Sequence, residues 1–130
     1  MTEPVPCLHV CITCRAGLKI EPGVTPMGAD LHDALARSLE AAPAPLELRT
    51  VDCLAACERG CTATISMPGK WSYLLGGLSP DLAPDLLIYA RSYGTSKTGT
   101  IMPSRRPESL KDMILARFPA QDTSIQQAAE

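Results

Sequence analysis

Leu8-His9-Val10-Cys11-Ile12-Thr13-Cys14 and Leu46-Glu47-Leu48-Arg49-Thr50-Val51-Asp52-Cys53 are the two stretches that decide the fold. Each has the length and apolar content of a strand, and each runs straight into cysteine. Leu8–Ile12 reads as a short buried strand. In the second run, Leu46 and Leu48 alternate with Glu47 and Arg49, so that strand keeps one solvated face. Between them, Asp30 to Ala41 carries Leu31, Leu35 and Leu39 at a spacing of four, with Ala34 and Ser38 alongside. Asp30 and Asp33 fall in the first turn, where the positive end of a helix dipole favours acids. Gly17, Pro22, Gly23, Pro26 and Gly28 make Arg15 to Gly28 a loop, and Pro43 and Pro45 stop the helix. A right-handed β-α-β crossover makes the two strands parallel. Both cysteine-bearing segments then leave the sheet at the same edge.

Working outward, Thr62–Met67 places Ala63, Ile65 and Met67 on one side, and Pro68-Gly69 makes a tight turn. Trp71–Leu75 reads as the returning strand of a hairpin, closed by Gly76-Gly77. Ser79-Pro80-Asp81 opens a short turn, followed by a helix from about Pro84 to Tyr93 that Gly94 ends. Leu86, Leu87 and Ala90 would face the sheet. Thr95–Arg106 is a polar loop, and Pro107–Phe118 reads as a last helix with Leu110, Met113 and Ile114 on its apolar face. The pattern predicts a single α/β domain over residues 1–130, with about four strands in a mixed sheet and flanking helices. Its ordered core spans about residues 7–119, and residues 120–130 form a flexible polar tail.

Hydrophobic residues make up 45% of the 130 and aromatics only 4%, so the core is expected to rest on Leu, Val, Ile and Ala. The formal net charge of −2 and the absence of a basic stripe argue against nucleic acid and anionic membrane as partners. No run approaches the roughly 20 apolar residues of a membrane span. Met1-Thr2-Glu3-Pro4 has neither a basic start nor an apolar run, so a signal peptide is not expected. The expected setting is therefore a reducing cytoplasm, where the six cysteines serve better as metal ligands or redox groups than as disulfides.

Five of those cysteines fall into two short motifs, Cys11-x2-Cys14 and Cys53-x3-Cys57-x3-Cys61. Thiolates are soft donors, and two such segments brought together make a four-sulfur pocket suited to a [2Fe–2S] cluster or to Zn2+. Spacing does not separate the two metals, and five candidates for four places leave Cys14 or Cys61 as a spare. If the second segment turns helically, Cys53, Cys57 and Cys61 point the same way. Gly17 and Gly60 would let backbone N–H groups approach sulfur, while Arg15 and Arg59 would offset the charge of a tetrathiolate or else be ordinary surface residues. Cys7 reads as an inert buried thiol, and His9 and His32 as core-edge or surface histidines.

A Cys-x-x-Cys after a strand also raises a dithiol oxidoreductase. In that chemistry the first cysteine opens a helix whose positive end lowers its pKa. Here Cys14 leads into Arg15-Ala16-Gly17 and a loop, so this is the third reading. No glycine-rich phosphate loop, nucleophile elbow or paired carboxylates stand out, and the chain reads as a carrier or metal-binding protein rather than an enzyme. Trp71 and Tyr73 offer a docking or dimer surface, or belong to the core.

Leu8-His9-Val10-Cys11, Cys53-Leu54-Ala55-Ala56-Cys57-Glu58-Arg59-Gly60 and Gly69-Lys70-Trp71-Ser72-Tyr73 resemble segments of the thioredoxin-like [2Fe–2S] ferredoxins. More closely, the chain resembles the DUF1636 family of small bacterial metal-binding proteins, over roughly Leu8 to Pro119. That family has a Cys-x-x-Cys-Arg start, a Cys-Leu-x-x-Cys-x-Arg-Gly-Cys centre and a Gly-Lys-Trp-x-Tyr hairpin. The resemblance implies a thioredoxin-like fold, a [2Fe–2S] cluster, one-electron transfer to a redox partner protein, and often a homodimer. It also implies a link to cobalamin or metal metabolism. Ligands carry over onto Cys11, Cys53 and Cys57. The chain departs from the ferredoxins in placing Cys14 so close to Cys11, and in having Cys61 where they usually have proline after the glycine. Cys11, Cys14, Cys53 and Cys57 are the expected ligand set, with Cys61 as the alternative fourth. Structural zinc, or zinc or cobalt delivery, is the alternative role.

Overall fold

A computed structural model describes residues 5–13, 23, 25–54, 60–101 and 106–120. It contains β1 (Cys7–Cys11), α1 (Met27–Ala41), β2 (Glu47–Val51), β3 (Cys61–Ser66), β4 (Ser72–Leu78), α2 (Ala83–Thr95) and β5 (Ile114–Phe118). Single 3₁₀ turns at Pro80–Leu82 and Glu108–Leu110 precede α2 and β5. The strands form one mixed sheet in the order β2-β1-β3-β4-β5. The β1–β2 pair is parallel, in register from Cys7 opposite Glu47 to Cys11 opposite Val51. The other three pairs are antiparallel.

Alternation along the strands separates the two faces of the sheet. Leu8 and Val10 on β1, Ala63 and Ile65 on β3, and Tyr73 and Leu75 on β4 are buried. Leu31 and Leu35 of α1, with Ala83, Leu86, Tyr89, Ala90 and Tyr93 of α2, complete the same core cluster. Cys7, His9 and Arg49 lie on the other face and are half-buried or exposed. The α1 helix starts three residues before Asp30, so Met27 and Gly28 belong to it and not to the loop; Pro26 accepts backbone bonds from Ala29 and Asp30.

Further expectations are corrected. The sheet has five strands where the pattern predicts about four, because the segment read as a last helix over Pro107–Phe118 is a 3₁₀ turn followed by β5. Leu110 is buried from that turn, while Ile114 to Phe118 pair with the outer edge of β4. The spacing of Leu110, Met113 and Ile114 mimics a helical face. Pairing with an otherwise open strand edge outweighs that local pattern. Secondly, Gly76-Gly77 does not close the hairpin, because β4 continues to Leu78. Ala63 pairs with Leu75 but Cys61 with Leu78, so β4 carries one extra residue there, and Gly77 takes the positive φ of +67° that such a bulge favours. Thirdly, all three tyrosines join the aliphatic core.

The Gly69-Lys70-Trp71-Ser72-Tyr73 segment staples the end of the sheet away from Cys11. Lys70 Nζ donates to the carbonyls of Gly94 at 2.9 Å and Tyr93 at 3.3 Å, closing the C-terminal end of α2. The Tyr93 hydroxyl donates to the Trp71 carbonyl at 2.6 Å, and Trp71 N donates to Thr98 O at 2.8 Å. Tyr73 meets Tyr93 edge to face at 6.3 Å, and Arg117 stacks over Trp71 at 4.6 Å. Tyr73 is therefore core rather than a docking surface. Gly94 does not end α2, which runs to Thr95; its close neighbour is Pro6.

Gly99 closes this staple with φ +85°, and a Cβ there would sit 2.9 Å from both Trp71 O and Tyr93 Cε2. Gly99→Ala should cost roughly 2–4 kcal/mol in urea unfolding, combining backbone strain with overpacking. Burial raises the Tyr93 phenol to about 12 and pushes Tyr89 higher still, so both stay neutral. The buried Tyr73 hydroxyl has no hydrogen-bond partner among the described residues. Tyr73→Phe should therefore leave stability unchanged or raise it by up to about 1 kcal/mol, whereas Tyr93→Phe should lower it by about 1 kcal/mol. Equal losses in both variants would contradict this difference.

Candidate metal centre

Parallel pairing carries Cys11 and Cys53 to the same end of the sheet. The β1–β2 ladder extends beyond the strands at both ends, with Glu47 N donating to Pro6 O at 2.9 Å and Ile12 N to Val51 O at 3.0 Å. The Thr13 hydroxyl then donates to the Asp52 carbonyl. The Cys11 thiol, only 1% exposed, faces the same carbonyl at 3.8 Å and Thr13 Oγ1 at 3.6 Å. Asp52 is the residue before Cys53, so one backbone carbonyl clasps the two cysteine segments together. Cys53 itself is exposed.

Cys61 arrives by a different route. It opens β3, and the antiparallel β1–β3 register, continued past Val10 opposite Ala63, brings it to the Cys11 end. It is fully buried. Gly60, before it, has φ +77°, and a Cβ there would come within 3.2 Å of Gly77 Cα. Gly77 in turn lies against the Met113 thioether, 3.0 Å from where its own Cβ would be. Gly60 is thus needed for a close backbone crossing between β3 and the β4 bulge.

Cys14 and Cys57 lie outside the described residues, as do Gly17, Arg15, Arg59 and the residues from 121 onward. Among the described residues, no three His, Cys, Asp or Glu side chains are gathered closely enough to hold a metal ion. Cys11, Cys53 and Cys61 nevertheless stand at one end of the sheet, and their donor type fits a soft or borderline centre, whether iron–sulfur or zinc. His32 lies at the surface 3.8 Å from Asp33, and His9 sits mid-strand on the half-exposed face. Sequence reasoning missed Thr13 and Asp52, whose clasp depends on the β1–β2 register, and the Gly77–Met113 support. Gly76-Gly77 was the one available signal for that support.

The fold is that of the thioredoxin-like ferredoxins. A thioredoxin-like [2Fe–2S] ferredoxin from Aquifex aeolicus matches it with a TM-score of 0.58 and 13% identity, over 92% of this chain and 100% of that one. A second structure, of the wild-type thioredoxin-like [2Fe–2S] ferredoxin from the same organism, matches at 0.56 and 13%, over 88% and 99%. At such identity the likeness speaks for fold alone. The chain belongs to the family described as a protein of unknown function (DUF1636), whose model matches residues 8–120. No curated protein matches it. No helix among the described residues is long and apolar enough to cross a membrane.

Thr13→Val removes the donor of the clasp while keeping the side-chain shape. It should lower stability by about 1 kcal/mol, read as a lower urea midpoint at unchanged slope. An unshifted midpoint would mean that the clasp contributes nothing.

Proposed function

We propose that this protein is a small cytoplasmic electron carrier holding a [2Fe–2S] cluster on Cys11, Cys14, Cys53 and Cys57, with Cys61 as the alternative fourth ligand. The observation that carries the reading is the clasp at Asp52, which ties the Cys11 segment to the Cys53 segment across the parallel strands. The ferredoxin-like fold adds support. When bound, such a cluster accepts and releases one electron at a time through its iron.

The chain's own residues do the rest. Cys11, whose sulfur faces the Asp52 carbonyl, would hold the metal as a thiolate, its proton released to solvent on binding. Buried Cys11 and Cys61 lie on the shielded side. Cys53, exposed, lies on the side a redox partner protein would approach. A second copy of the chain is a further candidate partner, and corrin or metal metabolism a candidate setting.

Protein purified anaerobically should show visible charge-transfer bands that bleach with dithionite, and a paramagnetic signal in the reduced form. Two irons and two sulfides per chain are expected, and colourless protein with stoichiometric zinc after reconstitution would overturn the reading. Cys11→Ser and Cys53→Ser should each abolish the visible bands. Cys61→Ala should keep them if Cys14 is the fourth ligand, and their loss would move that place to Cys61.

A further inference from the structure

The far end of β1 holds a second sulfur that the proposed cluster does not use. Cys7 and His9 lie two residues apart on the same face of the strand, both half-buried. Cys7 Sγ is 3.7 Å from His9 Nδ1 and 3.9 Å from Nε2. A tetrahedral zinc ion bound to one thiolate at about 2.3 Å and one imidazole at about 2.0–2.1 Å needs its sulfur and nitrogen about 3.6 Å apart. The pair already stands at that separation. The near-equal distances place the sulfur beside the ring and off both lone-pair lines, so the imidazole must turn about its soft outer torsion to share an ion with it.

The neighbouring strands supply the surroundings. Glu47 lies opposite Cys7 and Arg49 opposite His9 on β2, while Ser66 and Thr64 face them from β3. Glu47 Oε1 accepts from Arg49 Nε and Nη2 at 2.8 and 2.6 Å on this exposed face. Burial and the Glu47 charge raise the Cys7 thiol, so without an ion it stays protonated and unreactive. Four residues of strand, about 13 Å, separate Cys7 from Cys11, too far for the two sulfurs to share a centre.

We propose that Cys7 and His9 form a separate, open site for a borderline divalent cation such as Zn2+, with water completing its coordination. The ion displaces the Cys7 thiol proton and binds the resulting thiolate together with a neutral imidazole nitrogen. With only two protein ligands the ion exchanges readily, unlike one enclosed by four thiolates. This site does not depend on what the Cys11 end of the sheet binds.

The test is cadmium-113 resonance of the full-length protein saturated with 113Cd2+, alongside metal counting. A site with one sulfur and one nitrogen gives a resonance far less deshielded than a four-thiolate site. Wild type should show the less deshielded resonance, and both Cys7→Ser and His9→Gln should lose it, binding one ion fewer per chain. Any strongly deshielded signal should persist in both variants, with unchanged melting. Absence of the less deshielded resonance in wild type would overturn the proposal, as would its survival in either variant. Failure of the cluster reading would alter only the strongly deshielded signal, so the two ideas fail separately.

Discussion

The pairing of β1 with β2 is the constraint on which the rest of the structure depends. Two parallel strands adjacent in a sheet need a long crossover, and α1 supplies it between Ile12 and Glu47. The ladder extends from the Glu47–Pro6 bond at one end to the Ile12–Val51 bond at the other. Because side chains alternate along a strand, a slip of one residue would send Leu8 and Val10 to the solvated face and Cys7 and His9 into the core. Burial of Leu8 and Val10 against α1 therefore fixes the register. The register in turn decides that Cys11 and Cys53 share an end. Antiparallel β3, starting at that same end, adds Cys61 without any contact encoded near it in sequence.

The two ends of the sheet are built differently. At the end where β1 begins, Lys70, Trp71, Tyr93 and Gly99 interlock through hydrogen bonds, ring contacts and close backbone approach. Lys70, Trp71 and Tyr73 of that hairpin motif bind the β3–β4 turn to the end of α2. At the Cys11 end, the described ties include the Ile12–Val51 bond, the Asp52 clasp and the Gly60–Gly77 crossing.

Much of this was legible in the chain. The β-α-β order, the β3–β4 hairpin and both helices follow from periodicity and from Pro and Gly punctuation, within a few residues of the observed bounds. The parallel arrangement followed from the handedness of crossovers, a rule that needs only element order. The places of Cys11 at the end of β1 and of Cys53 two residues beyond β2 were legible for the same reason. What failed was contextual. Ile114–Phe118 has no strong local preference, and only the waiting edge of β4 makes it a strand. The tyrosines looked too few to matter. Yet three placed at one helix–sheet junction bury more surface than their share of the composition implies.

The same contrast explains why chemistry-bearing residues differ in legibility. A cysteine motif is visible because its meaning depends on donor type and short spacing, both local properties. Thr13 and Asp52 become meaningful only once β1 and β2 are aligned, since the bond between them spans separate segments. Cys7 and His9 lie between these cases. They are neighbours in sequence, but their common orientation requires β1 to be extended, and their half-exposure requires the face opposite the helices to stay open. A helical Cys-x-His would turn the two side chains about 200° apart around the axis, and a strand covered on both faces would seal them from solvent. The strand geometry that sends Leu8 and Val10 inward therefore also creates a thiol–imidazole pair accessible to an ion.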